Sequence, residues 1–416
     1  MPYTGELRAM GRPASAPDLS GAGIAAPGLR LSRLVLTDFR SYSRAELHLD
    51  GRPVALTGEN GAGKTNLLEA VSLLSPGRGL RGAAYAELAR DGGAGGWAVA
   101  ATLETDVGPV RIGTGLEAGM DMGSRSRAVR VGGEQAGPSA LAELVSLVWL
   151  TPAMDRLFVE GASERRRFLD RLVMGFDPAH GARANAYDRA LRERNKLLAD
   201  QVFDDAWLSG LEEQMAGHGV AIAAARREML ARLRGALAAA SEGAFPRADV
   251  AIEGMLEAAL EAEPAVDVED RFRKLLKDMR ARDAGAGRAL DGPHRSDLLV
   301  RHMGKDREAR QCSTGEQKAL LIGIVLANAR LMAAMGRPPI LLLDEVAAHL
   351  DAERRAALFD EITGLDLQAF MTGTDPSLFA SLGSRAQNLH VDRGAIKGAA
   401  PATAAAIASA IEGNVE

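Results

Sequence analysis

Apolar and polar positions divide the chain into blocks of different period. Leu31, Leu34, Val35 and Leu36 lead into Phe39, and an alternating pattern resumes over 45–49, which predicts two strands joined by a polar turn. Residues 53–57 form a short apolar run that stops at a glycine-rich turn, and from Lys64 the spacing of Leu67, Leu68, Ala70, Val71 and Leu74 is helical. Strand, loop, helix is the expected order there. Residues 97–103 and 107–114 alternate around Gly108-Pro109, and 128–131 precede Gly132-Gly133, so further antiparallel strands are expected and the first lobe reads as mixed α/β.

Between about 163 and 283 glycine turns thin out and helical spacing takes over, with Leu211, Met215, Ile222, Met229, Leu233 and Leu237 on one stripe, read as core packing within an inserted arm. A helix of about 35 to 40 residues would reach about 55 Å at about 1.5 Å per residue. Strand character returns at Leu298, Leu299 and Val300, a helix is expected over 318–335, and 340–343 is wholly apolar, as in a strand buried on both faces. The expected organisation is a disordered extension over 1–28, a first lobe over 29–162, a helical arm over 163–285, a second lobe over 286–396 and an Ala-rich tail over 397–416.

Composition narrows the function classes. At 416 residues the chain is long enough for more than one core, and small disulfide scaffolds are excluded. Fifty Lys and Arg against 55 Asp and Glu give a net charge of −5, so nucleic-acid binding must come from local patches. The single cysteine, Cys312, precludes an intramolecular disulfide and fits a reducing compartment. No run approaches the roughly 20 apolar residues of a membrane span, and residues 1–28 lack a signal-peptide core, so a cytoplasmic location is expected.

Gly58-Glu59-Asn60-Gly61-Ala62-Gly63-Lys64-Thr65 fits the GxxxxGK[ST] phosphate-loop pattern and lies between an apolar strand and an amphipathic helix. Gly58, Gly61 and Gly63 let the backbone, with Asn60, wrap a phosphate. Lys64 adds a charge between β- and γ-phosphates, and Thr65 offers a hydroxyl to Mg²⁺; Asn66 follows in the helix. Ile340-Leu341-Leu342-Leu343 delivers Asp344 and Glu345 at the carboxyl end of a buried strand. Asp344 suits the Mg²⁺ shell, and Glu345 suits proton abstraction from an attacking water. Ser313-Thr314-Gly315-Glu316-Gln317 opens the next helix: Ser313 and Gly315 there make an anion site, while Ser313 with Glu316 equally fits an ordinary capping box.

These residues resemble ABC-type ATPases, with Ser313 to Gln317 as the signature and Ala347-Ala348-His349-Leu350-Asp351 as the D-loop. Over 31–396 the chain resembles the RecF family of SMC- and Rad50-like DNA replication and repair ATPases. The resemblance rests on Thr37-Asp38-Phe39-Arg40-Ser41-Tyr42, Asn66-Leu67-Leu68-Glu69-Ala70, Gly77-Arg78-Gly79-Leu80-Arg81, Arg165-Arg166-Arg167-Phe168-Leu169-Asp170, Tyr187 with Arg194-Asn195, and Gly292-Pro293-His294-Arg295. It implies an α/β ATPase head of two lobes with a helical arm, ATP and Mg²⁺ as cofactors, and an ATP-dependent homodimer in which Ser313, Gly315 and Asp351 close over a partner's nucleotide. It also implies binding to duplex DNA beside single-strand gaps, cooperation with RecR and RecO to load RecA, and a place in the DNA-damage (SOS) response. The ATPase subunit of an ABC membrane transporter is the alternative, disfavoured by the wide separation of Lys64 from Ser313. Two positions depart from the ABC pattern: Leu150-Thr151-Pro152 stands where a Mg²⁺-sensing glutamine is common, and Thr372 or Thr374 stands where a switch histidine is common. For DNA the candidate contacts are Arg165-Arg166-Arg167 and the run Arg271, Arg273, Lys274, Lys277, Arg280 and Arg282, which could equally be a solvated helix face; His294 and Arg295 fit either a surface turn or an interface.

Overall fold

In the computed structural model, which describes residues 29–119, 126–239 and 243–398, the opening alternation forms β1 (Arg30–Phe39) and β2 (Tyr42–His48), an antiparallel pair turning at Arg40 and Ser41. The expected extension over 1–28 lies outside the described residues, as does the expected tail except for Lys397 and Gly398. β3 (Val54–Thr57) is buried throughout and runs through the phosphate-loop sequence into α1 (Lys64–Ser72). β4 (Trp97–Thr105), β5 (Gly108–Leu116), β6 (Ala128–Val131) and β7 (Glu134–Ala136) join the first pair in an antiparallel sheet of order β2-β1-β4-β5-β6-β7. After α2 (Ala140–Leu144) and β8 (Leu147–Leu150) come α3 (Ala162–Phe176), α4 (His180–Ala199) and α5 (Asp205–Ala239).

A strand, β9 (Ala248–Glu253), then interrupts the stretch expected to be helical, before α6 (Met255–Ala262), α7 (Ala265–Asp278) and α8 (Arg280–Ala286). β9 pairs antiparallel with β10 (Asp297–His302), which in turn pairs with β11 (Arg307–Glu308). Its two buried residues, Ala248 and Val250, are too few to set a period of their own, and pairing with the apolar Leu298 and Val300 stabilises it. α9 (Thr314–Ala334) starts four residues earlier than its apolar run because Ser313 caps it. β12 (Ile340–Leu343), α10 (Ala352–Gly364), β13 (Ala369–Gly373), β14 (Gln387–Asp392) and β15 (Ala395–Lys397) complete the chain.

The second large sheet has the order β15-β14-β3-β13-β12-β8, parallel except for β15. Successive side chains face opposite sides of a strand. Leu56, Leu342 and Phe370 accordingly enter one core with α1 and the antiparallel sheet, while Leu341, Leu343 and Met371 enter another with α3, α5 and α9. Within the described residues α9 is the one helix whose length and composition would suit a membrane span, and most of it is buried inside this second core.

α5 is a 35-residue strut, about 52 Å long. Its stripe is buried as expected, but it serves two cores and not the arm alone. Leu211, Met215 and Ile222 pack in the arm with Tyr187, Phe272 and Leu276, whereas Met229, Leu233 and Leu237 belong to the head core with Leu320 and Leu321. Two buried ion networks pin it. Arg194, fully buried, donates to Glu212 Oε1 at 3.0 Å, Asp283 Oδ2 at 2.7 Å and the Leu276 carbonyl at 2.6 Å. Nearer the head, Arg226 of α5 bridges to Asp170 of α3 at 2.8 and 2.9 Å and to the Pro293 carbonyl at 2.7 Å, and His180 Nε2 meets Asp170 at 2.9 Å.

Burial alone would raise the Asp170 pKa; the hydrogen bonds from His180 and Arg226 outweigh it and hold the carboxyl at about 2. A depressed carboxylate pKa contributes stability that is fully present above the unfolded value near 3.9 and is lost as pH falls through the folded one, here on the order of 2 kcal/mol. Urea unfolding of the wild type and Asp170→Asn should therefore show a gap that is constant above about pH 5 and narrows between about pH 4 and 2. A gap independent of pH would contradict the assignment.

Candidate nucleotide site

β3 ends at Thr57, and the turn that follows is set by backbone that only glycine tolerates. Gly58 has φ 147°, and a Cβ there would sit 2.1 Å from the Val391 carbonyl oxygen of β14. Gly63 has φ 115°, with Ser41 Oγ and Tyr42 Oη each 2.8 Å from where a Cβ would lie. Tyr42, whose phenol is pushed well above its ordinary pKa by burial, donates to the Gly63 carbonyl at 2.9 Å and fastens the loop to the β1–β2 turn. Asn66 reaches the same turn, donating to Ser41 Oγ at 3.0 Å, and accepts from Arg81 at 2.8 Å. Behind it, the fully buried Glu69 accepts from Arg40 Nε and Nη2, each at 2.9 Å, and from Arg81 at 3.0 Å.

Lys64 is nearly buried and donates to the carbonyl oxygens of Gly58 at 2.7 Å and Glu59 at 2.8 Å. Burial lowers its pKa, opposed by the nearby Glu345 and Asp344 carboxylates. The ammonium thus spans its own loop and occupies hydrogen bonds that an incoming phosphate can take over.

β12 stops after Leu343, and the chain turns there because Glu345 adopts a left-handed conformation, φ 54°. Asp344 Oδ1 accepts from Thr65 Oγ1 at 3.0 Å and from Thr372 Oγ1 at 2.8 Å, and Thr372 Oγ1 in turn accepts from the Glu345 backbone N–H at 2.8 Å. Of the two threonines considered for the switch position, Thr372 makes these contacts, whereas Thr374 is exposed beyond the end of β13. The left-handed turn lets both adjacent carboxylates border one cleft of about 790 Å³, together with Thr65, Arg81, Trp149 and Arg171. Thr151 and Pro152 line it where a glutamine is common, and no glutamine does among the described residues. Among the described residues no cluster of three metal-ligating side chains occurs. Thr65 and Asp344 nevertheless offer two hard oxygen donors, a set that suits Mg²⁺ completed by substrate phosphates.

The remaining residues of the sequence-derived site lie elsewhere. Ser313 and Gly315 are exposed at the start of α9 and do not line this cleft. Both capping-box bonds form, Glu316 N–H to Ser313 Oγ at 3.4 Å and Ser313 N–H to Glu316 Oε2 at 2.9 Å. Asp351 is also exposed and caps α10 by accepting from the Arg354 N–H at 2.8 Å. Most of the basic segments are already paired. Arg165 forks onto Asp297 at 2.7 Å, Arg166 donates to the Ser296 carbonyl at 2.7 Å, and Arg167 pairs with Glu164 at 2.9 Å. In the 271–282 run, Arg271 meets Glu263, Arg273 meets Asp270, Lys277 and Arg280 share Asp205, and Arg282 meets Asp291. His294 is a packing residue, its Nδ1 2.7 Å from the Tyr187 hydroxyl and its Nε2 3.1 Å from the Ala289 carbonyl, whereas Arg295 is exposed.

The family described as RecF/RecN/SMC N terminal domain matches residues 30–395. The DNA replication and repair protein RecF of Rhizobium leguminosarum bv. trifolii (strain WSM2304) is 56% identical over 369 residues, covering 88% of this chain and 98% of that protein. Its namesake in Rhizobium meliloti (strain 1021) is 54% identical over 371 residues, with the same coverages. A solved structure of the recombination mediator protein RecF with ATP, from the RecFOR pathway, superposes with a TM-score of 0.77 at 22% identity, covering 90% of this chain and 99% of the other. An Smc head domain of Pyrococcus furiosus bound to the C-terminal domain of ScpA gives 0.50 at 15% identity, covering 92% and 100%. At those identities the two structures speak to the fold.

Thr372→Val keeps the buried shape but removes the hydroxyl that joins Asp344 to the Glu345 backbone. Nucleoside triphosphate turnover should fall by about 10- to 100-fold, the usual cost of losing a group that orients such ligands, while Thr372→Ser retains it. Equal turnover in the valine variant and the wild type would show that the bridge is dispensable.

Proposed function

The chain belongs to the RecF family of DNA replication and repair ATPases, and on that premise we propose that ATP joins two copies of it into a clamp on duplex DNA beside single-strand gaps, which works with RecR and RecO to help load RecA. Family membership also leaves the transporter alternative without support. The observation that supports the dimer is the division of the site: Thr65, at the end of the phosphate loop, and both carboxylates border one cleft, whereas Ser313 and Gly315 are exposed at a helix N-terminus outside it. Such an end favours an anion, because its first N–H groups lack partners and the helix dipole is positive there. Ser313 Oγ accepts a long bond, 3.4 Å, from the Glu316 N–H, and its hydroxyl, which faces the Glu316 carboxylate in this chain, turns to a γ-phosphate held by a second copy.

In this reading Gly58, Asn60, Gly61 and Gly63 wrap the phosphates with backbone N–H groups, and Asn66 braces the loop against Ser41 and Arg81. Lys64 exchanges the carbonyls of Gly58 and Glu59 for β- and γ-oxygens, replacing two neutral acceptors with charged ones. Thr65 and Asp344 would hold Mg²⁺, which when bound offsets the negative charge of the triphosphate. Glu345 takes the proton of a water whose oxygen bonds to the γ-phosphorus as the bond to the bridging oxygen breaks, leaving ADP and phosphate. Asp351 borders the partner's site. Loss of the γ-phosphate leaves Ser313 without its acceptor, so hydrolysis opens the clamp and times its stay on DNA.

Glu345→Gln removes the proton acceptor and leaves the nucleotide contacts in place. ATP should bind normally, hydrolysis should slow by about 10²- to 10⁴-fold, and the dimer should persist on gapped duplex in the presence of ATP, measured by phosphate release and DNA retention. Hydrolysis at the wild-type rate would remove Glu345 from the mechanism, and DNA retention indifferent to ATP would remove the clamp.

A further inference from the structure

Cations are densest in the sequence over 271–282, but there the structure pairs five of the six with carboxylates, leaving Lys274. α4 shows the opposite arrangement. Arg189, Arg192 and Lys196 are all exposed, and none has a carboxylate within 4.0 Å among the described residues. Their i, i+3, i+7 spacing places them within about 60° of arc on one face and over about 10 Å of helix. The nearby acids do not cancel them. Glu193, four residues after Arg189, flanks this face but accepts from Trp207 Nε1 at 3.1 Å; Asp188 feels the Arg192 charge without forming an ion pair, and the exposed Asp200, four residues after Lys196, forms none among the described residues.

The rear of α4 is held rigidly. Arg194 sits in the buried network with Glu212 and Asp283, Tyr187 is hydrogen-bonded to His294, and Asn195 Oδ1 accepts from the Ala289 N–H at 2.9 Å. That last bond ties to α4 the loop carrying Arg288, itself exposed and without an ion pair among the described residues. The result is a line of three cations on a braced helix, with a fourth on a segment bonded to that helix. None of the five cavities described is lined by these residues. A line of exposed cations along a helix matches a polyanion that repeats its charge along an axis and is bound without reading sequence.

We propose that the outer face of α4, formed by Arg189, Arg192 and Lys196 with Arg288 at its edge, is the surface by which the arm holds the phosphate backbone of duplex DNA. This assignment rests on the DNA-clamp reading above. It also explains why the segment specific to the family around Tyr187, Arg194 and Asn195 is buried behind this face: it fixes the register of the cations in front.

The test uses the full chain with ATP and a fluorescent duplex, with affinity measured across a salt series. Replacing Arg189, Arg192 and Lys196 together by Gln should lower affinity by at least about tenfold at low salt and reduce the slope of log affinity against log salt by about 2.7, roughly 0.9 for each phosphate no longer neutralised. ATP hydrolysis without DNA and the circular dichroism spectrum should be unchanged. The matched set of paired cations, Arg271→Gln, Arg273→Gln and Arg282→Gln, should leave the slope at the wild-type value. If the wild type binds duplex and the α4 variant keeps its affinity and slope, this surface is wrong while the clamp stands. If the α4 variant instead loses binding to polyglutamate with duplex binding intact, the face serves an acidic protein and the proposal is overturned. A wild type that ignores duplex DNA with ATP present overturns the clamp reading and this surface with it.

Discussion

A buried ammonium, bonded to two carbonyl oxygens of its own loop and lying in the field of two carboxylates, is the interaction on which the nucleotide site depends. Lys64 keeps the turn after β3 closed around a space of the right charge, and burial makes that ammonium a costly group to leave unpaired. An anion that replaces the two carbonyls therefore gains more than it would at a solvated lysine. The backbone of the turn is held independently of the lysine: Gly58 is pressed against β14, and Gly63 is hydrogen-bonded to Tyr42. The loop is pre-organised, and binding need not supply the free energy to build it.

The same logic extends outward along rigid connections. β12 ends beside β3's neighbour β13, so Thr372 can join Asp344 to the backbone of Glu345, and Thr65 at the head of α1 meets the same Asp344 oxygen. Trp149 on the adjoining edge strand carries the Arg171 guanidinium 5.1 Å above its ring, and the next residue back along α3 is Asp170, bound to the strut α5 through Arg226. One helix thus touches both the wall of the nucleotide cleft and the base of the arm. Because α5 contributes to the head core and to the arm core, a displacement of α3 has a stiff path to the α4 surface.

Features carried by local sequence were legible from it. The phosphate loop, the carboxylates that end an apolar strand, and the α5 stripe all lie within contiguous stretches whose spacing alone implies their geometry. Features that depend on distant partners were not. β9 owes its existence to β10, and the basic run over 271–282 is quenched by Asp205, Glu212, Glu263, Asp270 and Asp291, four of which lie outside that run and its immediate flanks. The α4 cations were hidden for the converse reason: Asp188 and Glu193 stand beside them in sequence and at pairing distance along the helix, yet neither forms an ion pair, and Glu193 takes Trp207 Nε1 instead. The Arg40–Glu69–Arg81 network joins three segments that each carried a family resemblance with no visible reason for being linked; the reason is that they meet beneath α1.

The central claim is that each active centre is divided between two molecules. Mixing two inactive variants tests it most directly: Lys64→Ala, which lacks a working phosphate loop, and Ser313→Arg, which lacks a working signature. In a mixed dimer one of the two centres combines the intact loop of the second variant with the intact signature of the first. The account predicts that ATP hydrolysis, negligible for either protein alone, reappears on mixing and rises with the concentration of the limiting partner. Mixtures that stay as inactive as their components, or a Ser313→Arg protein that hydrolyses ATP at the wild-type rate by itself, would contradict it.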